Sequence, residues 1–231
     1  MYRRARQRIG GRPWIQRSLL LGAALAVAWT LSDDYRRALG AGGLRWRVVQ
    51  DVALFVVLPG ALALAHRQHL GWRLDRDVLR NTALFALVVL PFYLVGSSLP
   101  TVRAYYPMWR TSTALSAFLP HAAAQFVLAA AAETYYRGLL CVGVRDLGRK
   151  SVLLSPVLYA FHHVHKPPIE LALAAPTDVL FGVVDYETDS VLPSVVAHGA
   201  GLALLDWLVL HPPLFPPEQV LGWLSWLPVP L

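Results

Sequence analysis

Glu133 and Arg137 stand four residues apart in the run Ala131-Ala132-Glu133-Thr134-Tyr135-Tyr136-Arg137-Gly138, inside an otherwise apolar stretch. On a helix that spacing puts both side chains on one face. A carboxylate held by a guanidinium can accept a proton from water. The pair therefore reads as a general base and the group that keeps it ionised and aimed. The same spacing also suits a purely structural ion pair. A charge in hydrocarbon costs at least ~2.5–3.5 kcal/mol on insertion scales, so a pair placed inside a bilayer points toward function.

Histidines supply two further elements. The first is Tyr159-Ala-Phe-His162-His163-Val-His165-Lys166-Pro167-Pro168-Ile169-Glu170. At helical spacing His162 and His165 share a face and His163 points elsewhere. His165 and Lys166 abut Pro167, where a helix ends, and are expected at the water boundary. His163, about one turn deeper, is the candidate for the site, with His162 as its competitor. The second element is His198, in Val195-Val196-Ala197-His198-Gly199-Ala200-Gly201. Its small neighbours permit close helix approach. Asp206 lies eight residues on and roughly on the same face, so it is expected either to orient His198 or to sit at the boundary. Asp178 is a further carboxylate in an apolar run, with no assigned role.

The elements that must position these groups are membrane helices. The chain has 231 residues, 56% hydrophobic and 15% charged, with a mean hydropathy of +0.46. A soluble domain of this length carries roughly a quarter charged residues. One cysteine, Cys141, excludes an intrachain disulfide and a cysteine-rich metal site. The net charge of +7 does not point to nucleic acid, because Arg3, Arg4, Arg6, Arg8, Arg12 and Arg17 gather ahead of the first apolar run. That is the positive-inside pattern, and it places the N-terminus in the cytoplasm. The run is long for a signal peptide and is expected to be a retained span.

A span needs about 20 apolar residues. Candidates fall at 14–31, 48–65, 79–99, 115–144, 151–165, 169–186 and 190–210, giving an all-α polytopic bundle of about seven transmembrane helices. The first three serve as an anchoring part and the last four hold the chemistry. The basic stretch 32–47 is expected to be an external connection or to lie flat at the interface, where Trp46 fits. The whole chain, 1–231, reads as one membrane domain. Its reactive core is 115–210, and 211–231 is a Pro/Trp-rich interfacial tail.

Glu-x-x-x-Arg-Gly, then Tyr159-x-x-x-His163, then a late His198 in an apolar helix, resembles the CPBP intramembrane proteases. That family includes the CAAX prenyl endopeptidases and the bacteriocin-processing and self-immunity proteins. The resemblance covers about 115–210. It implies an all-helical membrane bundle and peptide-bond hydrolysis by glutamate-activated water, with histidines supporting the water and the oxyanion. Two positions depart from the family pattern: Ala132 stands where a first glutamate is usual, and Leu202 where an asparagine is usual. The single-glutamate pattern with His163, Lys166, Pro167 and Glu170 is similar to a branch that resembles processing enzymes for C-terminal sorting tails.

The resemblance thus implies an intramembrane endopeptidase of glutamic type whose partners are a membrane-anchored protein or peptide substrate and the lipid bilayer, with no nucleic acid. Glu133 is the base, Arg137 orients it, His163 positions water and His198 donates to the oxyanion. No cofactor is expected. The alternative chemistry is zinc held by Glu133, His163 and His198 with one open position. The alternative classes are an inactive scaffold or immunity protein, which Ala132 and Leu202 favour, and a proton-relaying transporter.

Overall fold

The computed structural model describes residues 12–38 and 43–231, and every regular element among them is helical. Arg3, Arg4, Arg6 and Arg8, on which the orientation of the N-terminus rests, lie outside the described residues. Helix α1 is Arg12–Ala38. Helix α2 is Leu44–Ala65, with π winding over Ala53–Val57. Helices α3 and α4 are Arg76–Gly96 and Pro100–Tyr105. Helix α5 is Leu115–Val142 and switches to π winding over Thr134–Val142, directly after Glu133. A 3-10 segment, Arg145–Leu153, leads to α6, Pro156–His162. Helices α7, α8 and α9 are Pro168–Thr188, Leu192–Val209 and Pro217–Leu224.

Proline opens the first turn of α4, α6, α7, α8 and α9. Its missing N–H is not needed there, and its fixed φ suits the helix start. At α3 the start is a side-chain cap: Asp75 accepts a hydrogen bond of 2.9 Å from the Val78 amide.

Five helical stretches are long and apolar enough to cross a membrane: Pro13–Leu31, Leu44–Ala65, Arg76–Gly96, Leu115–Val142 and Leu192–Val209. The protein is a polytopic helical membrane bundle, but two of the seven expected spans are different in kind. The 151–165 stretch is broken between the end of the 3-10 segment at Leu153 and the seven-residue α6. Seven helical residues cover about 10 Å, far short of a bilayer. Helix α7 has the length, yet it carries Glu170, Asp178, Asp185 and Glu187. The expected connection at 32–47 is also largely helix, since α1 runs on to Ala38 and α2 starts at Leu44.

Helix α8 is the centre of the bundle and packs most extensively on α3 and α5. Two glycines make this possible. A Cβ at Gly199 would stand 2.6 Å from the Phe126 ring of α5, and one at Gly201 would overlap the Tyr93 ring of α3. Small residues at such crossings let backbones approach. Arg103 of α4 caps the C-terminus of α8, donating to Val209 O at 2.9 Å and His211 O at 2.5 Å. A guanidinium at that end satisfies carbonyls the helix leaves open and complements its dipole.

The N-terminal helices are fastened to the π segment rather than merely adjacent to it. Trp14 Nε1 donates to Gly143 O at 2.6 Å, and the Tyr135 hydroxyl donates to Gly22 O at 2.7 Å. In the tail, Val220 of α9 is fully buried against the segment holding Leu99 and Val102, while Trp223 and Trp226 remain exposed.

Candidate active site

Glu133 is the last residue of regular α winding in α5, and Arg137 lies one turn on in the π segment. Both are completely buried. Arg137 Nε is 3.0 Å from Glu133 Oε2, and its Nη1 is 2.9 Å from Asp178 Oδ1 of α7. These are ion-pair contacts whose N–H directions stray from the hydrogen-bonding line. The Ser155 hydroxyl donates to Asp178 Oδ2 at 2.5 Å. The guanidinium also lies 4.9 Å from the Tyr159 ring centre and 5.3 Å from that of Phe181. Two carboxylates and two aromatic faces thus surround one cation, which is how a buried charge is made tolerable.

The other oxygen of Glu133 meets α8. His198 Nδ1 is 2.6 Å from Glu133 Oε1. A carboxylate offers only acceptors, so Nδ1–H donates and the neutral imidazole presents the lone pair of Nε2 on its far side. His198 borders a cavity of about 640 Å³. Glu133 is not on its wall and meets it through the imidazole.

His163 borders the same cavity. Its Nδ1 donates to Tyr159 O at 2.7 Å, so its Nε2 is also an acceptor in the neutral ring. The Tyr159 ring packs on it at a tilt, with ring centres 4.2 Å apart. His162 is on the wall too, but its Nδ1 meets the Tyr136 hydroxyl and its ring lies 4.3 Å from that of Trp29. The sequence-predicted residues Glu133, Arg137, Tyr159, His162, His163 and His198 are therefore gathered around one cavity and the buried network behind it.

Asp206 is the exception. It does not bond His198. It is fully buried, with Oδ2 2.5 Å from His121 Nε2 and 2.9 Å from Gln125 Nε2, both on α5. Two turns along α8 carry it past His198 to a separate polar contact. Lys166 is likewise more enclosed than expected: it donates to the Tyr106 hydroxyl at 2.8 Å, and that hydroxyl donates to Glu170 Oε2 at 2.8 Å. Sequence reasoning missed the partners Ser155, His121, Gln125 and Tyr106, none of which carries a motif. Asp178 did carry a signal, as a carboxylate in an apolar run.

Ala132 and Leu202, the two departures from the family pattern, both line the cavity. Among the described residues, no group of three His, Cys, Asp or Glu side chains is arranged to hold a metal ion. The Glu133–His198 contact is a direct one, and Arg137 occupies the second carboxylate oxygen. A cation at this point would face the guanidinium, so these residues do not fit the zinc alternative.

An all-helical membrane bundle with a buried Glu–Arg pair and four cavity-lining histidines defines a class of intramembrane protein with reactive polar groups at its centre. The family model described as type II CAAX prenyl endopeptidase Rce1-like matches residues 115–203, and it places that segment in the CPBP/CAAX protease family. The match spans Glu133, Arg137, His163 and His198. No curated protein and no solved structure matches the chain.

Proposed function

We propose that the protein is an intramembrane endopeptidase that hydrolyses a peptide bond in a membrane-anchored protein or peptide. The observation that carries this reading is the 2.6 Å contact from His198 to Glu133, with the imidazole on the wall of a cavity that His163 shares. Water in the cavity gives its proton to His198 Nε2 as its oxygen adds to the scissile carbonyl. Glu133 stabilises the imidazolium that forms, and Arg137 with Asp178 holds Glu133 in place. The base is thus a glutamate acting through a histidine, not glutamate alone, and the missing carboxylate at position 132 is not needed. His163 orients the water by accepting its second hydrogen bond. No metal takes part. The basic N-terminal run supports an orientation with the N-terminus in the cytoplasm, and a bacterial inner membrane is the proposed location.

The test is cleavage of fluorescent single-span and lipid-anchored peptides co-reconstituted with the protein in liposomes, with products identified by mass spectrometry. Glu133→Gln and His198→Ala should each lower the rate by at least about 10²-fold, the scale of general acid–base contributions. Wild-type rates in both variants would overturn the reading.

Ala132 and Leu202 on the cavity wall favour a second reading, an inactive scaffold or immunity protein that keeps the fold. Its mark is a cellular phenotype that survives Glu133→Gln and His163→Ala unchanged.

A further inference from the structure

Hydrolysis at this site needs a hydrogen-bond donor for the carbonyl oxygen that becomes negative, and His198 is poorly placed to be that donor. Its Nδ1–H is directed to Glu133, so the neutral ring shows the cavity an acceptor. His163 is in the same condition, with Nδ1–H on Tyr159 O. Leu202, one turn beyond His198 on the cavity wall, offers no polar atom.

Tyr93 of α3 fills this gap. It forms part of the cavity wall. Its ring rests on the bare Cα of Gly201, where a Cβ would overlap both the ring and the hydroxyl oxygen. Gly201 is three residues from His198 and shares its face of α8. The glycine therefore lets a tyrosine from the neighbouring helix bring its hydroxyl within a turn of the reacting histidine. Several other wall donors are engaged, namely the Tyr106 hydroxyl on Glu170, the Tyr136 hydroxyl with His162 and the Gln125 amide on Asp206. The Tyr159 and Thr177 hydroxyls also line the wall, but Tyr93 is the one seated on Gly201, a turn from His198. The Tyr93 hydroxyl has no hydrogen-bond partner among the described residues.

We infer that Tyr93 is the oxyanion-stabilising donor of this site, presented by the Tyr93–Gly201 contact. The inference rests on the endopeptidase reading. As water oxygen bonds to the carbonyl carbon, the carbonyl π pair moves to oxygen and the water proton passes to His198 Nε2. Tyr93 O–H donates to the new oxyanion and keeps its proton. On collapse the C–N bond breaks, the imidazolium proton goes to the departing amine, and the enzyme returns to its starting state.

The experiment compares wild type, Tyr93→Phe, Tyr159→Phe, His198→Ala and the pair Tyr93→Phe/Leu202→Asn on the liposome-anchored fluorescent peptides, with folding followed by thermal unfolding in detergent. Loss of one oxyanion donor lowers kcat by about 10²–10³-fold, so Tyr93→Phe should fall by that factor with KM within threefold. Leu202→Asn, which puts an amide donor one residue away, should recover at least tenfold of the loss. Both effects are beyond a merely structural role. Wild-type kcat in Tyr93→Phe while His198→Ala is inactive overturns the role of Tyr93 and leaves the endopeptidase reading standing. A loss confined to Tyr159→Phe moves the role to that residue and also overturns the inference. A misfolded Tyr93→Phe means the hydroxyl is structural and overturns it too. A wild type that cleaves none of the peptides removes the endopeptidase reading and the inference together.

Discussion

Arg137 Nη1 lies 2.9 Å from Asp178 Oδ1 with both side chains fully buried, so α5 and α7 are joined by charge inside an apolar bundle. Removing one partner of a buried ion pair strands the other and costs about 3–5 kcal/mol. Asp178→Ala should therefore lower stability by that order in chemical unfolding from detergent micelles. It should also reduce cleavage per folded molecule, because Arg137 then loses its second anchor. An Asp178→Ala protein as stable as wild type would show that Arg137 finds compensation elsewhere.

The glycine of the Arg137-Gly138 pair has a steric reason. A Cβ at Gly138 would stand 2.9 Å from the backbone oxygen of Leu70, in the connection ahead of α3. Backbone cannot swing aside as a side chain can, and overpacking costs about 1–3 kcal/mol. Gly138→Ala should lose that much stability. Gly60→Ala, where nothing lies within 4 Å of the added carbon, should be neutral or slightly stabilising in the same assay.

Asp206 separates structure from chemistry. Hydrogen bonds to a buried charged group contribute about 1.5–3 kcal/mol each. Asp206→Asn keeps the shape but weakens the contacts to His121 and Gln125. It should lower the unfolding midpoint while leaving kcat of the folded fraction within threefold of wild type. A selective loss of kcat would instead connect this cluster to His198.

One acid-sensitive element lies outside the spans. The Val78 amide bonded to Asp75, with Arg73 beside it, lowers the Asp75 carboxyl below its ordinary value of 3.8. A lowered carboxyl contributes stability that is present above that ordinary value and lost as pH falls through the folded-state value. Asp75→Ala should therefore reduce the unfolding temperature at neutral pH and have a fading effect as pH drops below about 4. Thermal scans of both proteins across acidic pH check this.

Metal dependence is open to a direct assay. With Arg137 on one oxygen of Glu133 and His198 on the other, cleavage should persist after prolonged EDTA treatment and be unchanged on adding zinc. Loss on chelation with recovery on zinc would require a different arrangement of Glu133, His163 and His198.

Much of the site was legible because its signals are local. Glu133 and Arg137 are a turn apart, and His198 sits between small residues in a helix that had to be central. The span count was less legible. Hydropathy registers composition, and 151–165 is apolar enough, but 3-10 winding runs up to Leu153 and the α-helix that follows is only Pro156–His162. Asp206 was misjudged for a related reason: helical spacing gives a face, and the partners on that face belong to another helix. Asp178 could be noticed but not paired, since its contact with Arg137 exists only once α5 and α7 pack.

Trp29 of α1 and Arg47, Asp51 and Phe55 of α2 line the same cavity as His163 and His198. The division into an anchoring part and a chemical part therefore does not hold at the level of the cavity. The consequence concerns portability. The segment 115–203 carries the reactive groups but only some of the enclosure around them. Moved alone into another membrane scaffold, it would bring its acid, its arginine and its histidines to a chamber missing a side, open to whatever lipid lay against it.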